Sequence, residues 1–152
     1  MSAGGAESAP IPSPVVAGGG ADAALRTLRV FIVEDSPIIR ERLVEALVAT
    51  GRIEVAGHAA TERDAVDALS GSAWDAVVLD LQLKQGNGLG VLRTIAPSRP
   101  AGSKIFVLTN YAIPMYRDRS MALGADAFLD KSRDFERVVD MLVELADSPR
   151  GH

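Results

Sequence analysis

The sequence predicts an α/β fold in which one parallel sheet is wrapped by helices on both faces. Strand-like apolar runs alternate with segments of helical periodicity, five times in succession after residue 27, and that rhythm is the signature of βα units. Three of the runs stop abruptly at charge. Leu28-Arg-Val-Phe-Ile-Val33 runs into Glu34-Asp35, Ala76-Val-Val-Leu79 into Asp80, and Ala127-Phe-Leu129 is followed closely by Lys131. A short hydrophobic run ending in a charge is how a buried parallel strand reads where it emerges at its functional edge.

The elements follow in order. Arg29 to Val33 is rich in β-branched and aromatic residues and predicts the first strand. Ser36-Pro37 opens a helix, serine as N-cap and proline at the first helical position. Ile39, Leu43, Ala46 and Leu47 form its buried stripe, and Gly51 ends it. Ile53 to His58 is the second strand, and Thr61-Glu-Arg-Asp64 opens the next helix with a capping-box pattern. Trp74 to Leu79 is the third strand, with Trp74 as a hydrophobic anchor before it. Leu89 to Ile95 is a helix stopped by Pro97, and Lys104 to Thr109 is the fourth strand. A helix follows at Pro114 to Leu123, although Met115, Tyr116, Met121 and Leu123 do not line one face. Ala125 to Leu129 is the fifth strand, and a last helix carries Phe135, Val138, Val139, Leu142 and Ala146 on one stripe.

Composition limits the function. The 152 residues give room for one domain with a core large enough to fold without staples, and 47% hydrophobic residues suit a globular chain. Residues 1–27 are rich in Ala, Gly, Ser and Pro and read as a flexible tail; 28–148 form the domain, and 149–152 are a short C-terminal tail. With no cysteine, disulfides, thiolate metal sites and cysteine nucleophiles are excluded, and a reducing cytosol is compatible. A net charge of −4 leaves no electrostatic footprint for nucleic acid, and no apolar run is long enough to span a bilayer. The N-terminus lacks the basic region of a signal peptide, Arg26 being the first cationic side chain.

In sheets of this kind, ligands bind at the carboxyl ends of the strands. Glu34-Asp35, Asp80 and Lys131 sit at the ends of the first, third and fifth strands, and Thr109 ends the fourth. Chance would scatter such residues over both edges. Clustered carboxylates repel unless a cation joins them, and oxygen-only donors suit magnesium. Glu34 and Asp35 are expected to hold the ion and Asp80 to share it, with Asp80 also able to attack phosphorus. Lys131 would neutralise charge on phosphoryl oxygens, and Thr109 can donate one hydroxyl hydrogen bond to them.

These residues, in this order, resemble the receiver domain of bacterial two-component response regulators. The resemblance runs from about Arg29 to Ala146 and includes Glu34-Asp35, VVLDLQL with Asp80, Thr109 and FLDKS with Lys131. It implies the flavodoxin-like (βα)5 fold with strand order 2-1-3-4-5 and autocatalytic phosphorylation of Asp80 from a phosphohistidine donor. It also implies slow self-dephosphorylation, so the chain is expected to be a phosphoacceptor regulator rather than an enzyme. By the same resemblance the backbone carbonyl of Gln82 completes the Mg2+ shell, and Phe128 is a switch aromatic coupled to Thr109. Gln82 and Tyr111 occupy the positions that tune dephosphorylation. The implied partners are a sensor histidine kinase or histidine phosphotransfer protein, and a downstream protein bound by the fourth helix, fifth strand and fifth helix, near Met115, Tyr116 and Phe128. No nucleic acid, no membrane, a cytoplasmic location and a stand-alone receiver are expected.

Some positions depart from the family pattern. Lys84 and Ser132 stand where proline is common, and Asn110 stands where alanine or glycine is usual. Two other functions compete: a phosphorylation-independent binding module on the same fold, and a phosphohydrolase of the haloacid dehalogenase type. The latter needs an acid two residues after the nucleophile, where this chain has Gln82. Gly86-Asn-Gly88-Leu-Gly90 lacks nucleotide-loop spacing and reads as a tight turn into a helix. His58 is expected to pack at a strand end, and Arg117 and Arg119 to form a solvated face.

Overall fold

The inner strands of the sheet are buried on both faces, which is why their sequences read as continuous apolar runs. The computed structural model describes residues 27–148; the rest of the predicted N-terminal tail and residues 149–152 lie outside the described residues. The strands are β1 (Leu28–Val33), β2 (Ile53–Ala59), β3 (Ala76–Leu79), β4 (Lys104–Thr109) and β5 (Ala127–Asp130). They form one sheet of order β2-β1-β3-β4-β5, all pairs parallel, as expected. The helices are α1 (Pro37–Val48), α2 (Glu62–Leu69), α3 (Gly88–Ile95), α4 (Pro114–Leu123) and α5 (Phe135–Asp147).

Alternation along the strands divides the core in two. Phe31, Val33, Val77, Leu79, Ile105 and Val107 face α2 and α3, where Ala65, Leu69, Val91, Leu92 and Ile95 meet them. Val30, Ile32, Val78, Phe106 and Leu108 face α1 and α5, against Leu43, Leu47, Val138, Leu142 and Ala146. The helix stripes seen in the sequence therefore each find a sheet face. The expected caps form as well. The hydroxyl of Ser36 accepts from the Ile39 N–H at 3.3 Å and that of Thr61 from the Asp64 N–H at 3.1 Å. Asn87 caps α3, its side-chain oxygen accepting from the Gly90 N–H at 3.0 Å.

Boundaries shift where polar side chains claim backbone groups. β3 starts at Ala76 rather than Trp74. The buried Trp74 turns its indole N–H to the Leu69 carbonyl at 3.1 Å, closing the end of α2, while the Asp75 carboxylate takes the Arg29 N–H at 2.8 Å. β5 starts at Ala127 rather than Ala125, because Gly124 and Ala125 close α4 through the Met121 and Ser120 carbonyls. Asp126 meanwhile accepts the Ile105 N–H at 2.8 Å and pairs with Arg99. Pro97 does not stop α3 directly; it sits in a tighter turn, Ala96–Ser98, that extends it.

α4 forms without the stripe that helices of this sheet otherwise carry. Its inner face is Tyr116, Ser120 and Leu123, whereas Met115 and Met121 are exposed. Pro114 at its start and Gly124 in the left-handed region at its end, φ 118°, define it instead.

Truncating Leu142, fully buried between α5 and the sheet, should cost about 2–5 kcal/mol. Met115→Ala, on the exposed face of α4, should stay within about 0.5 kcal/mol of wild type. Urea unfolding of both variants checks the contrast.

Candidate functional site

Each key residue is the first after its strand, or nearly so, and is held by the carbonyl of a neighbouring strand. The Glu34 N–H donates to the Ala59 carbonyl, the Asp80 N–H to that of Val33 and the Lys131 N–H to that of Thr109, each at 2.9 Å. Parallel pairing aligns Val33 with Leu79, Leu79 with Val107 and Thr109 with Asp130. The sheet therefore delivers Glu34, Asp80, Thr109 and Lys131 to the same edge.

There the Lys131 ammonium donates to Glu34 Oε1 at 2.7 Å and to Asp80 Oδ2 at 2.9 Å. Glu34, Asp80 and Lys131 are 2%, 4% and 8% exposed, so the bridge lies in the interior. Glu34 Oε2 accepts from the Ser36 N–H at 3.0 Å, and Asp80 Oδ1 from the Gln82 N–H at 3.2 Å. Thr109 is fully buried, its hydroxyl oxygen accepting from the Tyr111 N–H at 3.1 Å.

Asp35 completes the group: carboxylate oxygens of Glu34, Asp35 and Asp80 lie within 4.8 Å of one another. Three carboxylates against one ammonium leave two uncompensated negative charges when all are ionised. Burial raises the Glu34 carboxyl above its usual range, beyond what the Lys131 and Ser36 hydrogen bonds recover. Burial by itself would lower Lys131, but its hydrogen bonds and proximity to Glu34 and Asp80 outweigh that and raise it. The all-oxygen donor set and its surplus of two charges fit Mg2+.

Loop chemistry fixes the surroundings. Ser132, where proline is common, donates both its N–H, at 2.9 Å, and its hydroxyl, at 2.7 Å, to Asp130 Oδ1. These bonds lower the Asp130 carboxyl below its usual range. The Asp130 N–H donates to Asp134 Oδ2 at 2.9 Å, lowering that carboxyl too. Lys84 ties its loop through its N–H, which donates to the Ala60 carbonyl at 3.1 Å. The Lys131 loop is thus pinned by polar bonds in place of a proline.

Of the other residues singled out in sequence, Asn110 and Tyr111 are exposed beside the site, as is Gln82. Phe128 is half-buried against the α2–α3 core, in a cluster that also takes in Tyr116. His58 does not pack at a strand end: it is exposed, on the edge strand β2. Arg117 and Arg119 are exposed as expected. Gly88 escaped the sequence reading as a site residue. Its N–H bonds the Leu81 carbonyl at 2.9 Å, and a Cβ there would overlap the Asp80 carbonyl oxygen and stand 2.8 Å from Leu81 Cα. Only glycine lets α3 start directly against the Asp80 backbone, and the Gly86-to-Gly90 run was the signal for it.

Residues 30–143 match the family described as the response regulator receiver domain. The chain is 29% identical over 104 residues to the DNA-binding transcriptional activator DevR/DosR of Mycobacterium tuberculosis, covering 68% of this chain and 48% of that protein. The chain thus spans about half the length of that curated relative. The non-phosphorylated HemR receiver domain of Leptospira biflexa superimposes with a TM-score of 0.69 at 30% identity, covering 83% of this chain and 99% of that one. The receiver domain of NarL from Mycobacterium tuberculosis shares the fold, with a TM-score of 0.71 at 22% identity, over 82% of this chain and 99% of that one. Among the described residues no helix is long and apolar enough to cross a membrane.

Lys131→Met should destabilise the metal-free protein by about 3–5 kcal/mol, because it strands two buried carboxylates. A folded-state value above the unfolded one makes Glu34 take up a proton on folding, so its penalty shrinks as pH falls through the raised value. The deficit of the variant should accordingly be smaller near pH 5 than near pH 7. Urea unfolding in a chelator at both pH values measures it.

Proposed function

This chain belongs to the response regulator receiver domain family, and we propose that Asp80 accepts a phosphoryl group from a histidine kinase or histidine phosphotransfer protein and so switches a protein-binding surface. The observation that carries this reading is the buried Lys131 bridge to Glu34 and Asp80. As a stabilising device it is poor, since buried ion pairs contribute about as much as, or less than, apolar residues of the same volume. As a phosphoryl site it is well built.

An Asp80 carboxylate oxygen attacks the phosphorus of a phosphoimidazole. The new O–P bond forms as the P–N bond breaks, and the imidazole nitrogen keeps the electron pair and takes a proton from water, leaving an acyl phosphate on Asp80. Lys131 already lies 2.9 Å from an Asp80 oxygen and neutralises charge on the incoming phosphoryl oxygens. Glu34, Asp35 and Asp80, with the Gln82 carbonyl that the family resemblance adds, would hold Mg2+, which when bound would supply further charge neutralisation at those oxygens. The Thr109 hydroxyl accepts from the Tyr111 N–H and keeps its own proton to donate to the phosphoryl group.

The response travels through the same contacts. Movement of Thr109 toward the phosphoryl group pulls on the Tyr111 loop and makes room for half-buried Phe128 to turn inward. That loop leads into α4 past Tyr111, Ile113 and Met115, which are 51%, 45% and 60% exposed. These apolar side chains beside β5 and α5 form the partner surface, in a cytoplasmic signalling chain. Gln82 and Tyr111 flank the site and set how fast water removes the phosphoryl group.

The expected absence of a nucleic-acid partner finds no support, because one relative is a DNA-binding activator of which the chain spans 48%. The expected stand-alone arrangement is likewise unsupported. For the residues described, protein partners alone are proposed.

Incubation with Mg2+ and either acetyl phosphate or a histidine-phosphorylated donor should give one alkali-labile phosphoryl adduct by intact mass. Asp80→Asn and a chelator should each abolish it. Labelling of Asp80→Asn at the wild-type level, or no adduct from either donor, contradicts the assignment.

A further inference from the structure

The run Gly86-Asn-Gly88-Leu-Gly90 holds two glycines that the close approach of α3 to Asp80 does not require. Both surround one side chain. Glu62, the first residue of α2, places its carboxylate where the Cβ atoms of Gly86 and Gly90 would stand. A Cβ on Gly86 would lie 2.5 Å from Glu62 Oε1, and one on Gly90 would overlap Oε2. The notch is made of missing side chains and fits this carboxylate.

The carboxylate has a defined task inside it. Glu62 Oε1 accepts the Asn87 N–H at 3.0 Å, at the start of α3, where the helix leaves N–H groups unpaired and favours negative charge. The Glu62 N–H donates to the Gln85 carbonyl at 2.9 Å, and Thr61 pairs with Gln85 as an isolated parallel bridge. Glu62 therefore holds both ends of the segment Gln85–Asn87. Across that segment Asn87 pairs with Gln82, and the Gln82 N–H donates to Asp80 Oδ1 at 3.2 Å. A chain of contacts thus runs from α2 to the acceptor carboxylate.

We propose that Glu62 is a positioning residue for the phosphoryl site: seated between Gly86 and Gly90, its carboxylate fixes the loop that orients Asp80 and presents the Gln82 carbonyl. This rests on the reading of Asp80 as a magnesium-assisted phosphoacceptor. It assigns to Glu62 and the two glycines the work of a loop that lacks the usual proline, with Lys84 in its place. Partners one step removed from a metal ligand commonly change metal affinity by about 10–100-fold.

The test is a double-mutant cycle read by isothermal titration calorimetry with MgCl2 alone, beside urea unfolding. Glu62→Ala should weaken magnesium binding about tenfold. Glu62→Gln keeps an oxygen for the Asn87 N–H and should stay within about twofold of wild type. Gly90→Ala expels the carboxylate while improving helix propensity, so it should weaken binding like Glu62→Ala without loss of the fold. Adding Gly90→Ala to Glu62→Ala should weaken binding no further, because the group it displaces has already gone. Wild-type affinity in Glu62→Ala, or additive losses in the double variant, overturns the inference alone. If Glu62→Ala does not fold, Gly90→Ala decides: an unchanged affinity overturns the inference and a weakened one supports it. A wild-type chain that binds no magnesium overturns the functional reading and this inference together.

Discussion

A lysine held between two buried carboxylates is the constraint on which the rest of the molecule depends. In the sheet order β2-β1-β3-β4-β5, Lys131 follows the edge strand β5, while its partners follow β3 and β1. The ammonium must reach over the end of β4, where Thr109 is fully buried. Only a long, flexible side chain spans that distance, and only a parallel sheet brings the three strand ends to one level. Any slip in register would separate the charges and leave each of them buried without a partner.

The arrangement is under electrostatic tension by construction. Burial raises the Glu34 carboxyl, and a single ammonium faces the carboxylates of Glu34, Asp35 and Asp80. A dication or a charge change at Asp80 is the natural way to relieve it. The two halves of the core are unequal in how firmly they would resist the resulting movement. α5 lays Val138, Leu142 and Ala146 on the sheet, whereas α4 offers half-buried Tyr116 and Leu123 around Ser120. The Ser120 hydroxyl is itself buried with no hydrogen-bond partner among the described residues. The helix that follows the Thr109 loop is thus the one least committed to its packing, which suits a segment that changes position.

Much of this was legible in the sequence, for identifiable reasons. Strands buried on both faces announce themselves as apolar runs, and charges at their ends mark the functional edge, so a parallel sheet and the grouping of Glu34, Asp35, Asp80, Thr109 and Lys131 could be anticipated, while the strand order followed from the family resemblance. Element starts were less legible because side chains replaced ladder contacts: Trp74 closing α2 and Asp126 tying Arg99 and Ile105 moved two strand starts inward. His58 looked like packing material but is exposed on an edge strand. Glu62 was hidden because nothing in a helix-start pattern reveals that a carboxylate will cap a different helix, Asn87 being 25 positions away. The glycine spacing recorded the notch, but only the packing of α2 beside α3 gives it meaning.

A buried cluster built around Asp80 to take a divalent cation beside a phosphoryl acceptor must bind that cation in the native state, and the urea unfolding midpoint against free Mg2+, for the wild type and Asp80→Asn, reads this directly. Preferential binding to the native state predicts a wild-type midpoint that climbs with the logarithm of Mg2+ concentration above the dissociation constant. In Asp80→Asn, with one ligand charge removed, that climb should be much reduced or shifted to higher concentration. Equal, superimposable dependence in the two proteins, or none in the wild type, would contradict the account.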